Sequence, residues 1–496
     1  MVYLHRHKRR KATGMKRIFA KKLEEWHGKS VRKPLVIRGM RQTGKTWCAR
    51  EFAKTFYKDA FLEVNFEISP QWQSVFDRDL DPVRICNELE LISGQRLLGG
   101  KTLLFLDEIQ LCPKALAALR YFYEQLPEVP VLAAGSLLDF ALDDLPFPVG
   151  RVQFAELHPM TFAEYLEAVG NEPLAAVVRG DPKALPEAVH AKLLDEVRTY
   201  SIVGGLPECV KVRAEGGSLL DVREIQNDLI IAFEQDFAKY PERMEASTLR
   251  EIWRAAVASA GRQIAYAALS RRHSGTTNTK ALELLAKARL VKLSRAVSSA
   301  ALPFDLDTAP RIKPYAGDIG LYQAMSGRPA DEVLRERDLL NTYNGALAEQ
   351  FVAQELSAAF GGDEPHWWKR DAKNAQAEVD FVVALDGRVQ PIEVKSGAAG
   401  RLKSVHQLLK EAPSVLDAIV FSSAPFGELP AQRLKFRPIY YAGAVTSLRC
   451  ALRAGRRRPV QGDDSPCRKP QPGNGRTKQI CFQTTRDNLE TTEKNF

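Results

Sequence analysis

Eight consecutive residues carry the sharpest chemistry in the chain: Gly39-Met40-Arg41-Gln42-Thr43-Gly44-Lys45-Thr46, the pattern G-x-x-x-x-G-K-[ST]. A loop of this kind cradles phosphates. Its glycines let successive backbone N–H groups turn inward, and the helix that follows adds the aligned dipoles of its first turn. Gly39, Gln42, Thr43 and Gly44 are expected to wrap the phosphates. Lys45 supplies a point charge to the β- and γ-phosphates, and the Thr46 hydroxyl ligates Mg²⁺.

Such a loop needs a carboxylate on a neighbouring strand, and Leu103-Leu104-Phe105-Leu106-Asp107-Glu108 provides one. Four apolar residues bury the strand, and the acid pair emerges at its C-terminal end, where open α/β sheets bind their ligands. Asp107 is expected to hold the magnesium, directly or through water, while Glu108 polarises the attacking water. That second carboxylate favours hydrolysis over nucleotide binding alone. A further strand, Val129–Ala134, ends in Gly135-Ser136, where Ser136 either senses the γ-phosphate or closes a plain turn. Arg151 follows the Pro/Asp-rich loop Asp143–Val149. It is read as a stabiliser of transition-state charge, in cis or from a neighbouring subunit, with an ordinary surface arginine as the alternative.

A second constellation lies near the C-terminus. Glu378-Val379-Asp380-Phe381 and Ile392-Glu393-Val394-Lys395 leave twelve residues between Asp380 and Glu393, enough for a hairpin that brings Asp380, Glu393 and Lys395 together. Glu393 and Lys395, two apart, share one face of their strand. Glu349, on a helix upstream, adds a third carboxylate. Clustered carboxylates bind Mg²⁺ or Mn²⁺, with the lysine orienting water or steadying phosphoryl charge. A surface cross-strand charge pair would leave the same pattern.

These residues need a frame. Leu35–Arg38, Phe61–Phe66, Thr102–Leu106 and Val129–Ala134 read as buried strands alternating with helices at Thr46–Phe56, Pro113–Gln125 and Phe162–Val169. That alternation predicts a parallel sheet covered on both faces. An amphipathic helix over Met15–His27 leads into it. Glu187–Leu269 reads as helical. Ala265–Leu269, a turn at His273–Asn278, Thr279–Ala288 and Leu290–Leu293 then read as helix, turn, helix and strand, the outline of a winged helix. A helix at Ala346–Ala359 precedes strands at His366–Lys369, Glu378–Ala384, Gln390–Val394 and Ala418–Ser422, with a helix at Lys403–Glu411.

The 496 residues carry a net charge of +10, concentrated at the ends: residues 1–33 hold +10 and residues 451–496 hold +5, leaving −5 for the body. The charge therefore does not argue that the folded body wraps nucleic acid. Apolar runs stay far below the roughly 20 residues of a membrane span. The basic N-terminus has no apolar core of a secretory signal. Seven cysteines without a CxxC pair argue against a disulfide framework or zinc module, so a cytoplasmic location is expected. The end beyond Cys450 lacks periodicity and is expected to be disordered.

Several stretches together resemble a prokaryotic AAA-like family of ATP-binding proteins: Arg38–Thr46, Leu104–Gln110, Gly135-Ser136, Gly150-Arg151 with Leu157–Leu166, Gly204–Val210, Gly317–Leu321, Gly345–Leu356, Glu378–Val382 and Ile392–Ser396. Its C-terminal domain is similar to the PD-(D/E)XK nuclease fold. The resemblance covers roughly Leu35 to Tyr440 and implies a P-loop AAA-like ATPase domain (34–170), a helical region with a winged helix-turn-helix (171–330) and a PD-(D/E)XK nuclease-like α/β domain (331–445); the residues themselves read as a basic segment with a helix before them (1–33) and a disordered basic tail after them (446–496). By it Gly44, Lys45, Thr46, Asp107 and Glu108 take nucleotide roles. Glu349, Asp380, Glu393 and Lys395 take nuclease-like positions. ATP and Mg²⁺ are the implied cofactors, with a second Mg²⁺ or Mn²⁺ at the C-terminal site. DNA and a homo-oligomer are candidate partners, and a membrane is not. Ser274–Lys280 departs from the family's usual recognition turn.

Overall fold

A computed structural model describes residues 15–447 apart from 59, 140–149, 240–243, 307–310, 329–344, 363, 371–376 and 396–401. The first fourteen residues, the loop Asp143–Val149 and the tail beyond Ser447 lie outside the described residues.

Helix α1 (Phe19–His27) leads into β1 (Leu35–Arg38), α2 (Lys45–Phe56), β2 (Phe61–Asn65), α3 (Pro82–Ser93), β3 (Leu103–Asp107), α4 (Pro113–Gln125), β4 (Val131–Ala134) and β5 (Gln153–Glu156). The five strands form one parallel sheet in the order β2-β3-β4-β1-β5. Alternation along each strand sorts the core. Leu35, Ile37, Leu103 and Phe105 face Phe19, Trp26 and Phe52 of α1 and α2; Val36, Leu104 and Leu106 face Ile85, Leu116 and Phe122 of α3 and α4. Burial on both faces is what keeps β4, and β3 as far as Leu106, free of polar residues.

Two elements here escaped the sequence reading. One is α3, which starts at a Pro capped by Asp81, whose side chain accepts from Val83 N, and stops at left-handed Gly94. The other is β5, an edge strand with only one fully buried residue, too short and polar to register as a strand.

Helices α5 (Phe162–Ala168), α6 (Glu172–Arg179), α7 (Glu187–Val203), α8 (Pro207–Ala214), α9 (Leu219–Asp236) and α10 (Ala246–Ala258) follow. Then come β6 (Ile264–Ala265), α11 (Gly275–Lys287), β7 (Val291–Val297), β8 (Arg311–Ala316) and α12 (Ile319–Met325). Ala265–Leu269, expected as a helix, is the end of β6 and a single 3-10 turn. Helix α11 begins inside the expected turn, because the Ser274 hydroxyl accepts from Thr277 N at 3.1 Å and caps it.

The remaining elements are α13 (Ala346–Ala359), β9 (His366–Arg370), β10 (Ala377–Leu385), β11 (Arg388–Val394), α14 (Lys403–Glu411), β12 (Ala418–Ser422), β13 (Gly427–Leu429) and β14 (Leu434–Pro438). They do not form a separate sheet. A single sheet runs β13-β14-β12-β11-β10-β9-β7-β8-β6, joined across the expected boundary near residue 330 by the parallel pairing of β7 with β9 at Ala296↔Trp367. Among the described residues no helix is long and apolar enough to cross a membrane.

Candidate nucleotide-binding site

The loop between β1 and α2 turns through Gly44 at φ 89°, a left-handed conformation open to glycine, and through Gln42 at φ 65°. No side chain caps α2, so the N–H groups of its first turn stay available to an anion. The Thr43 hydroxyl donates to Met40 O at 2.8 Å and ties the loop to itself. Lys45 is buried. Its Nζ donates to the carbonyls of Gly39 and Met40 at 3.1 and 3.0 Å. Burial pulls its pKa down to about 8, against the opposing pull of Glu108 and Asp107.

The strand register sets the acid pair beside this loop. Asp107 is level with Ala134 of β4 and Asn65 of β2, and Ala134 is level with Ile37 of β1. The Thr46 hydroxyl donates to Asp107 Oδ2 at 2.8 Å, and Asn65 Nδ2 donates to the same oxygen at 3.1 Å. A hydroxyl and a carboxylate that meet at this distance face one point together, which fits a Mg²⁺ bound along with nucleotide phosphates. Burial raises the Asp107 pKa, while the Thr46 hydrogen bond works the other way.

Glu108 adopts φ 51°, uncommon for a residue with a side chain. Its Oε2 accepts from Gln110 Nε2 at 2.6 Å, and the Ser136 hydroxyl lies 3.5 Å from the same oxygen. A Cβ on Gly135 would overlap Gln110 Oε1, so glycine there is what lets Gln110 reach Glu108. Ser136 thus lies beside Glu108. Arg151 does not. It stands before β5, at the far end of the strands from the loop, where its Nε donates to Glu124 at 2.8 Å. Within one chain it cannot reach the phosphates.

Elements from beyond the sheet sit on the loop. Arg41 Nη1 lies 2.5 Å from both carboxylate oxygens of Asp236, at the end of α9. Pro207, at the start of α8, lies beside Gly44: a Cβ on that glycine would stand 3.7 Å from the ring. Gly317, just after β8, fits between Arg289 O and Met40 Sδ only because it lacks a Cβ. Arg289, with φ 63°, pairs with Asp139 and reaches Glu156 at 3.5 Å.

The C-terminal residues also converge. The turn at Asp386-Gly387 closes β10 onto β11, with Phe381 opposite Ile392. Asp380 Oδ2 accepts from Val394 N at 2.8 Å, and Lys395 Nζ lies 2.5 Å from Glu393 Oε1. Burial pushes Glu349 and Glu393 up to about 8 each, with Asp380 adding to both. Lys313 of β8, 1% exposed, stands among them. It pairs with Glu378 and lies 3.5 Å from Asp380 and 3.8 Å from Glu349. Burial works against its charge, but Glu349 and then Asp380 and Glu378 hold its pKa well above the lysine range. Among the described residues no three His, Cys, Asp or Glu side chains are placed to hold a metal ion. The expected second Mg²⁺ or Mn²⁺ is not supported, and the Lys313 ammonium stands among the carboxylates.

Sequence reasoning missed Gln110, Asn65, Lys313 and Tyr315. Gln110 lay in a stretch already singled out by resemblance, two residues from Glu108. For Lys313 the available signal was a lysine between Ile312 and Pro314 in an otherwise buried strand.

Residues 31–166 match a family described as an AAA domain. This stretch holds the whole five-stranded sheet together with the phosphate loop, Asp107, Glu108 and Ser136, and the match supports an AAA-like P-loop ATPase domain here. Residues 194–332 and 344–422 match two families described only as domains of unknown function, DUF8612 and DUF4143. No curated protein matches the chain in sequence. Solved structures similar to it include the Aeropyrum pernix ORC1 protein in complex with DNA, at 14% identity and a TM-score of 0.28, over 64% of this chain and 93% of that one. AMPPCP-bound DnaA from Aquifex aeolicus is 14% identical with a TM-score of 0.24, over 54% of this chain and 86% of that one. RuvB from Thermotoga maritima is 15% identical with a TM-score of 0.26, over 60% and 88%.

Proposed function

We propose that this protein hydrolyses ATP with Mg²⁺ at the loop Gly39–Thr46, and that the reaction moves the α8–β8 region resting on that loop. The observation that carries the reading is the 2.8 Å contact between the Thr46 hydroxyl and Asp107, with Glu108 next in the chain. Mg²⁺, when bound, neutralises phosphate charge. Thr46 and Asp107 are the residues that would hold it. Lys45 leaves the carbonyls of Gly39 and Met40 for the phosphates, and Glu108 orients the attacking water and takes its proton.

Coupling follows from what touches the loop. Asp236 holds Arg41, and Gly317 stands between Arg289 and Met40. A phosphate that shifts Met40 or Arg41 presses on α9 and on the end of β8. Helices α10 and α11 with the antiparallel strands β6, β8 and β7 have the element order of a winged helix. Exposed Arg271, Arg272 and Lys280 beside α11 offer contacts to DNA phosphates. Arg151 would meet a nucleotide only on a neighbouring copy of the chain, which is the sense in which a homo-oligomer belongs to this reading. DNA cleavage is not part of it, because Lys313 stands among the carboxylates that a metal would need.

The test is phosphate release by the full chain with Mg²⁺, with and without DNA, beside Lys45→Ala. The parent is expected to turn over, and the Lys45→Ala variant to lose at least about 100-fold through loss of phosphate charge stabilisation. Equal rates in the two proteins would end the reading.

A further inference from the structure

We infer that the carboxylate cluster of the C-terminal module is a metal-free site in which the Lys313 ammonium is the resident cation. The inference concerns β8, β10, β11 and α13 alone and holds whether or not the P-loop hydrolyses ATP.

The geometry is that of a lysine site. Nζ of Lys313 has Glu378 and Asp380 on β10 and Glu349 on α13 as ion-pair partners, and its side chain is 1% exposed. On another side it lies 5.5 Å from the centroid of the Trp367 ring. A ring face attracts an ammonium, whereas Mg²⁺ or Mn²⁺ demands oxygen ligands in that direction. The carboxylates are also committed elsewhere. Asp380 Oδ2 accepts from Val394 N, Glu349 Oε2 is 3.4 Å from the Tyr315 hydroxyl, and Glu393 Oε1 is held by Lys395. Gly261 leaves the space that Glu349 fills, since a Cβ there would stand 2.9 Å from its Oε2.

Two lysines, Lys313 and Lys395, already stand against the carboxyl groups of Glu349, Glu378, Asp380 and Glu393. A divalent ion placed within bonding distance of Asp380 would stand only a few ångströms from Nζ, in a buried site where like charges are poorly screened. Among the described residues, Glu393 Oε2 is buried with no hydrogen-bond partner. It is the oxygen a metal would recruit first if Lys313 were gone.

The probe is Mn²⁺ alone, read by electron paramagnetic resonance on the nucleotide-free full chain. The parent and Asp380→Asn are expected to bind Mn²⁺ identically. Lys313→Met is expected to gain a Mn²⁺ site of micromolar affinity and a melting temperature that rises with Mn²⁺, both lost again when Asp380→Asn is added. Two results overturn the inference: Mn²⁺ binding by the parent that Asp380→Asn removes, or a folded Lys313→Met that gains no site. Should Lys313→Met fail to fold, the comparison of parent with Asp380→Asn decides alone.

Discussion

Arg17 Nη1 donates to the carbonyl of Thr43 at 2.7 Å, so a residue ahead of α1 grips the phosphate-binding loop by its backbone. The same guanidinium donates to His158 O at 2.6 Å and to Glu164 Oε1 at 3.0 Å, and Glu164 itself caps α5 together with Thr161. Both side chains of the pair are buried, at 4% and 3% exposure. Arg17→Met would strand Glu164 without its counter-charge, a loss of about 3–5 kcal/mol. The expected result is a lower melting temperature together with weaker ATP binding. Arg17→Lys keeps the charge but not the three-way fork, and should fall between the two. Thermal melts and nucleotide titrations on the three proteins check this; an Arg17→Met protein that melts and binds like the parent would contradict it.

Glu108 is aimed by Gln110, and Gln110 has room only because residue 135 is glycine. Glu108→Gln removes the base and should slow turnover by roughly 100-fold or more while ATP binding survives. Gly135→Ala is the finer probe. The new methyl collides with the end of a flexible side chain, so the fold tolerates it, but Gln110 must swing away and release Glu108. We expect kcat to fall with the melting temperature and nucleotide affinity close to the parent's. If affinity fell and kcat did not, Gln110 would be acting on the loop and not on Glu108.

The nucleotide residues were legible because their chemistry is local in sequence. A loop pattern and an acid at a strand end fall where the strand and helix pattern puts them, and Asp107, Glu108 and Ser136 duly gather at one end of the sheet. Arg151 shows the limit of that reading. It stands before β5, and a parallel strand begins at the end of the sheet opposite the loop, so of the readings open to it only a role on a neighbouring copy or an ordinary surface arginine is left. Lys313 was illegible for another reason: its partners Glu349, Glu378 and Asp380 come from two other elements, across a boundary where a domain break was expected. No periodicity reports that β7 pairs with β9, and without that pairing β8 would not stand where Lys313 can reach β10.

Gly317 is one of the residues at which the two halves of the molecule meet. A Cβ there would overlap the backbone oxygen of Arg289 and stand 3.1 Å from Met40 Sδ in the phosphate loop. A backbone atom cannot swing aside as a side chain can, so Gly317→Ala must displace either the end of β8 or the turn that carries Arg289, pressing on Met40 as it moves. The expected outcome is a loss of about 1–3 kcal/mol in stability, as for other overpacking changes, with a raised KM for ATP. Urea melts and steady-state kinetics read the two effects. A variant that lost stability and kept its KM would show that the strand, and not the loop, had yielded.

Glu355 supplies a pH dependence whose sign can be worked out. It is buried on α13, its Oε1 accepts from Phe162 N at 2.9 Å, and its other oxygen leaves no room for a Cβ on Gly443. Burial raises its pKa to about 8 in the folded chain, against 4.5 ordinarily, with Glu164 adding to the rise and Lys292 opposing it. The folded state therefore keeps the proton that the unfolded state gives up. Below the ordinary value both states hold it and the contribution is complete; as pH rises toward about 8 only the unfolded chain ionises, and stability drains away. Each pH step of one between those two values removes about 1.4 kcal/mol, so the whole loss is several kcal/mol. Glu355→Gln cannot ionise and can still accept from Phe162 N. Its advantage over the parent should be small near about pH 5 and should widen to several kcal/mol near about pH 8.5, in urea melts at matched ionic strength. Parallel stability curves for the two proteins across that interval would mean that Glu355 is already ionised in the fold, with a cation closer to it than Lys292.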